Sequence, residues 1–178
     1  LKIRSGDLEN AYFSGEELAR TLLRRQPRGG IPGLNPGDRL LARVPIYGVS
    51  DAGRGFWKKL RKVLIRAGLR ENQFLNAMYV YSNEDGRVMF VMATHVDDLL
   101  WANRPEVDHI MKKVREILTC DKDEIGTLKL CGRGLVQKED FTIYLTCRDT
   151  TMKLSEIVPS PEHQQLRKTK DERLTKAE

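Results

Sequence analysis

Apolar residues recur at helical spacing between Asp51 and Ala67, where Phe56, Trp57, Leu60, Val63, Leu64 and Ala67 share one face. Ser50 or Asp51 is placed to cap this helix, and Gly68 to end it in the left-handed conformation. A second helical pattern covers 105–118 through Val107, Ile110, Met111, Val114, Ile117 and Leu118. A third, shorter one is expected over 16–25, EELARTLLRR, with Leu18, Leu22 and Leu23 on one side. Strand patterns fill the remainder. Residues 1–13 read as a strand that ends at DLENAYF in a tight helical turn, and RLLARVPI at 39–46 as a short strand. Between these, QPRGGIPGLNPGD at 26–38 is a loop by its Pro and Gly content. Two apolar runs, 77–82 and 87–94, flank the turn signal SNEDG; the second enters HVDD and leaves as LLWA. Strands near 127–137 and 140–147 join through a polar KED turn. This order predicts an α+β fold, a largely antiparallel sheet with helices packed on one face. No repeat interrupts it.

Composition narrows the picture further. The chain has 178 residues, 40% hydrophobic and 31% charged, enough for one domain with a real core over 1–157. Beyond Val158 apolar residues almost vanish, so 158–178 is expected to be a disordered polar tail. No apolar run approaches the roughly 18 residues of a membrane span, and LKIRSGDLEN has no apolar signal core. Cys120, Cys131 and Cys147, with His95, His109 and His163, form no zinc pattern. Reduced thiols in an intracellular protein, cytoplasmic or nuclear and not secreted, are the expectation. A net charge of +6 is compatible with a polyanionic partner without requiring one. The bases Lys58, Lys59, Arg61, Lys62 and Arg66 lie off the apolar face of the first long helix, where a solvated surface is the simplest reading.

The chemistry concentrates in carboxylates. Asp97 and Asp98 sit between an incoming and an outgoing apolar strand. Adjacent acids repel, which destabilises the fold unless a cation neutralises them, and magnesium prefers such oxygen ligands. The plain alternative is that Asp suits turns. Asp7, at the end of another expected strand, changes the balance. If the two strands are neighbours, Asp7 approaches Asp97 closely enough to share metal ions for an in-line phosphoryl displacement.

At this point the motifs acquire a resemblance. DLENAYFSGE resembles the A motif of reverse transcriptases, and THVDDLL their C motif, usually Tyr-Val-Asp-Asp. IYGVSDAGRGFWKKL is similar, without a gap, to the copia-type block LYGLKQAPRAWYEKL, and QPRGGIPG to the QPPGF segment of the same elements. IGTLKLCGRGLVQKEDFTIYLT resembles the GELKYFLGIEI stretch and the strand after it. Each motif is weak alone; their order and spacing over roughly 5–157 are specific. The resemblance is to copia-type retrotransposon reverse transcriptase, the RNA-directed DNA polymerase region of a Pol polyprotein. It implies a right-hand polymerase palm, a nucleotidyltransferase using two Mg2+ ions on template-primer RNA or DNA and deoxynucleoside triphosphates. It further implies Asp7, Asp97 and Asp98 as catalytic and metal-binding acids, and Tyr12 as the nucleotide-binding gate that excludes a 2′-hydroxyl. Arg54 falls on the Arg of APRAW and is a nucleic-acid-binding candidate, with Phe56 and Trp57 as core aromatics. Lys122 and Lys129 lie near the D motif, where a Lys protonates the leaving pyrophosphate.

The chain also departs from that pattern. Ser50, Asp51 and Gly53 replace the usual Lys, Gln and Pro, and the extra negative charge is expected to repel phosphates. His95 replaces the Tyr before VDD, where a neutral packing role is the simpler one. The chain starts almost at the A motif, so the fingers are expected to be incomplete, which leaves open whether the fragment polymerises in isolation. The alternative is a catalytically dead retroelement remnant that at most binds nucleic acid. A metal-dependent nuclease using the same acids is a third reading, which leaves Tyr12 unexplained.

Overall fold

In the computed structural model, residues 1–155 are described, and the polar tail expected over 158–178 lies outside them. The main layer is a six-stranded sheet of β1 (Arg4–Asp7), β4 (Arg70–Glu71), β5 (Met78–Ser82), β6 (Val88–His95), β7 (Asp98–Asn103) and β8 (Glu124–Ile125). Its order is β4-β5-β6-β7-β1-β8, with every pairing antiparallel. The two smaller sheets are a hairpin of β2 (Leu22–Arg25) and β3 (Arg39–Ala42), and a meander of β9 (Thr127–Leu130), β10 (Arg133–Gln137) and β11 (Ile143–Thr146). The helices are α1 (Ala52–Arg66), α2 (His109–Arg115) with a 3-10 turn at Pro105–Val107 before it, and a short α3 (Arg148–Thr151). The fold is α+β with antiparallel sheets, as expected.

Alternation along the central strands sets the layers. Tyr79, Phe90, Met92, Leu99 and Trp101 point to one face of the sheet and are fully buried. They meet Phe56, Leu60, Val63 and Leu64 of α1 and Ile110, Met111 and Val114 of α2 in one core. Each large apolar side chain so buried stabilises by about 1.5–3 kcal/mol before chain entropy is counted. Both helices therefore cover the same side of the sheet. Gly68 ends α1 at φ +108, the left-handed termination expected. Asp51 occupies the N-cap but makes no side-chain cap bond; its carboxylate accepts two bonds from Arg20, at 3.0 and 3.1 Å.

Four expectations need correction. The helix over 16–25 is instead an extended segment that becomes β2, pairing Leu22–Arg25 with Arg39–Ala42. A lone ten-residue helix is marginal, and the Pro/Gly loop brings RLLA back to satisfy the same backbone groups. Trp57 is not on the buried face of α1 but largely exposed, one residue round the helix from Phe56. Ile117 is likewise exposed, because α2 ends at Arg115 and the chain turns away. The single strand over 127–137 is split at Cys131 and Gly132, whose φ values of +48 and +75 make a two-residue hairpin turn. No helix among the described residues is long and apolar enough to cross a membrane.

Candidate metal centre

The sheet order brings the three singled-out acids to one edge. β1 and β7 are neighbours, and Asp7 lies directly opposite Asp98 in their register. β6 and β7 are joined by the two-residue turn Val96–Asp97, with His95 opposite Asp98. The geometric condition set by the sequence, that both acidic segments meet at neighbouring strand ends, is therefore met in the backbone. Directly opposed residues of an antiparallel pair have Cβ atoms about 4.5–5.5 Å apart on the same face. Val96 takes φ +56, which a β-branched residue adopts only under strain.

The end of β1 is clamped from both sides. Leu8 N–H donates to the Asp97 carbonyl at 2.9 Å, while Glu9 N–H donates to Thr119 O at 3.0 Å and Asp121 N–H to the Asp7 carbonyl at 2.9 Å. Gly6 permits this approach, since a Cβ there would stand 2.5 Å from Cys120 Sγ. The segment 119–121 so drawn in adds a fourth acid, Asp121, which the sequence pattern did not single out. Its signal was the acidic run CDKDE just past the second helix.

These neighbours show in the ionisation of Asp7. Partial burial, then the charge of Asp97, push its carboxyl above the ordinary value; Lys122 opposes them, and Asp98 and Asp121 add to the rise. Lys122 Nζ stands 3.8 Å from Asp7 Oδ2. Of the two lysines near the expected D motif, it is the one beside the acids. Lys129 instead pairs with Asp149 at 3.5 Å. Asp98 is held by a residue that the motifs assigned no role: Cys131 N–H, presented by the β9–β10 turn, donates to its Oδ2 at 3.1 Å. Burial, then a thiol bond to Asp98, raise the Cys131 pKa. His95 is exposed rather than packed, which corrects the expectation of a packing role.

The donor set suits a hard divalent cation in chemistry and backbone placement, being repelling carboxylates at adjacent positions. The side chains do not form a ready cage. Among the described residues, no three His, Cys, Asp or Glu groups stand close enough to hold an ion. For Asp7, Asp97 and Asp98 to share an ion, their side chains would have to draw closer together than they stand.

Tyr12 lies on the turn after β1, half-buried against the core, with its ring 4.6 Å from that of Tyr47 and tilted 59°. Ser14 N–H donates to the Asn10 carbonyl at 2.9 Å, closing the tight turn the sequence suggested. Arg54 is exposed in a groove of about 980 Å³ along α1, with Trp57, Arg61 and Ile65, and none of the acids lines it. The basic face of α1 is partly neutralised, Arg61 by Glu71 at 2.6 Å and Lys62 by Glu16. Asp51, expected to repel phosphates, has its charge balanced by Arg20. No protein-family model matches the chain, and a search of curated proteins finds no relative.

Proposed function

We propose that this chain is the palm region of a copia-type retrotransposon reverse transcriptase, an RNA-directed DNA polymerase with Asp7, Asp97 and Asp98 as its metal-binding acids. The observation that carries this reading is the register of β1 against β7, which sets Asp7 opposite Asp98 with Asp97 in the adjoining turn. The two long helices cover one face of the sheet and leave Asp7, Asp97 and Asp98 partly exposed at the β1–β7 strand ends. Two magnesium ions, when bound, supply charge neutralisation at the transferred phosphate and a more acidic attacking hydroxyl.

The chain's own residues would do the rest. Asp7, Asp97 and Asp98 hold the cations, and the backbone N–H of Cys131 orients Asp98. Lys122, already beside Asp7, is the proton donor to the departing pyrophosphate. Tyr12, braced by Tyr47, is the sugar gate on the deoxynucleoside triphosphate. Primer extension on an RNA template, with deoxynucleotides and magnesium, is the test. Template-dependent extension lost in Asp97→Asn is expected. Metal-independent extension, or extension indifferent to that substitution, would refute the proposal. The alternative, a catalytically dead remnant that at most binds nucleic acid, draws on one specific observation, the lack of a ready ligand group among the described residues. It calls for salt-sensitive nucleic-acid binding with no extension at all.

A further inference from the structure

The positive charge of this protein is not spread evenly. Residues 20–43 hold six arginines, no lysine, and a single acid, Asp38, a local excess of five in a chain of net charge +6. This stretch holds the β2–β3 hairpin, whose strands, among the described residues, pair with each other alone. In its register Arg25 lies directly opposite Arg39, and Leu23 opposite Leu41. Those four residues form the outer face, with Leu23 58% and Leu41 56% exposed.

Opposed like charges on adjacent strands destabilise a sheet, and nothing among the described residues relieves this pair. Arg20 is paired with Asp51, but Arg24, Arg25, Arg28, Arg39 and Arg43 have no carboxylate partner among the described residues. The one acid of the hairpin is already engaged, Asp38 Oδ2 accepting from Asn35 N–H at 2.8 Å. The loop is ordered by Gln26, which donates to the Asn35 and Asp38 carbonyls at 2.7 and 3.3 Å and accepts from Ile31 N–H at 3.1 Å. It shapes an open basin of about 850 Å³ lined by Arg25, Arg28 and Arg39 among glycines.

We infer that the outer face of the β2–β3 hairpin binds the phosphodiester backbone of a nucleic-acid duplex. Guanidinium groups match phosphate oxygens bidentately where lysines act only as point charges, and this patch is built from arginine alone. A two-stranded ribbon is also narrow enough to enter a duplex groove. An anionic membrane surface is less favoured, because three exposed leucines, Leu23, Leu34 and Leu41, and no aromatic offer little area for insertion. The inference stands on the hairpin's charge and register and does not depend on what the acids at the β1–β7 edge do.

The test is binding of a labelled mixed-sequence duplex to the full chain, by fluorescence anisotropy, across roughly 50–200 mM salt. Substituting Arg25→Gln with Arg39→Gln is expected to lower the slope of log affinity against log salt by about 2, near 0.9 for each phosphate no longer neutralised. It is also expected to leave the melting temperature unchanged or raised, as relief of repulsion requires. Lys112→Gln with Lys113→Gln removes equal charge from exposed positions on α2 and is expected to leave the slope unchanged. Equal slopes for the two double variants would overturn the inference. So would a wild-type chain that binds no duplex, or one that binds only phosphatidylserine vesicles. Hairpin-dependent duplex binding without primer extension counts against the proposed polymerase alone. Extension with hairpin-independent binding counts against this inference alone.

Discussion

Replacing Asp7 with Asn keeps the side chain's shape and removes one negative charge from the β1–β7 edge. In the free chain that charge is unfavourable: burial and the Asp97 carboxylate raise the Asp7 pKa, outweighing Lys122. The folded state therefore holds a proton at Asp7 more tightly than the unfolded state. This contribution to stability is greatest at low pH and is lost as pH rises from the ordinary value near 3.8 through the raised one. At neutral pH the ionised group opposes folding. A like-charged cross-strand pair costs about 0.2–1 kcal/mol, and since the side chain keeps 41% of its surface exposed, solvent screens the effect toward the lower end. Asp7→Asn should then raise the melting temperature by about 0.5–2 °C for a chain of this size. Magnesium should do the same for the wild type. At a concentration tenfold above its dissociation constant it adds about 1.4 kcal/mol, or roughly 3–6 °C. Differential scanning fluorimetry at pH 7, with and without magnesium, reads both. The expected pattern is crossed: without metal the variant melts above the wild type, and with metal the wild type gains and the variant does not. A variant that melts below the wild type without metal, or equal magnesium shifts in both proteins, would refute the reasoning.

Gly6→Ala would set a Cβ 2.5 Å from Cys120 Sγ and 3.0 Å from the Lys122 carbonyl. It should destabilise by about 1–3 kcal/mol in urea unfolding, with partial recovery when Cys120→Ala removes the sulfur; an unchanged midpoint would contradict that packing. Asp123 accepts from Arg4 at 2.6 Å and Arg115 at 2.8 Å while both guanidinium groups flank Trp101, so Asp123→Asn should cost about 1–3 kcal/mol in the same experiment. Burial works to raise the Asp123 pKa, but the bonds from Arg4 and Arg115 prevail and lower it. Its contribution is thus present above about pH 3.8 and lost as pH falls below that, and wild type and variant should converge in acid; parallel acid unfolding curves would exclude this. Val96→Gly should raise stability by about 1 kcal/mol by relieving the φ of +56, measured as a higher urea midpoint, and a lower midpoint would show that Val96 is not strained.

The elements legible in the sequence were those whose pattern and packing agree. The faces of α1 and α2 and the hairpin β5–β6 repeat at their own periods and bury what those periods predict, apart from Trp57 and Ile117. What the sequence misled on was decided at a distance. The segment EELARTLLRR has a passable helical pattern, yet Leu22–Arg25 is extended because Arg39–Ala42 returns to pair with it, and no local signal in 16–25 encodes that partner. β4 and β8, two residues each, are strands only by virtue of β5 and β1 beside them. The split of 127–137 was readable in principle, since Cys131–Gly132 interrupts the alternation, but Cys is an uncommon first residue for a turn with positive φ.

The site divides along the same line. Asp97 and Asp98 alone read as turn residues, and they gain weight as a site only when Asp7 is assumed to lie on a neighbouring strand. Lys122 came into view only through the resemblance, and Asp121 and the Cys131 N–H not at all, since these groups reach the site through two distant pairings: Leu8 with Cys120 for Asp121 and Lys122, and the β9–β10 turn for Cys131. Four segments of chain thus converge on one sheet edge, and they bring more negative than positive charge to it. A fold selected for stability alone has no reason to gather Asp7, Asp97, Asp98 and Asp121 at one end of β1, nor to turn the acidic hairpin through a strained valine. Strain and like charge concentrated together are what the proposed cation site rests on, and a cation is the ligand that would relieve the charge.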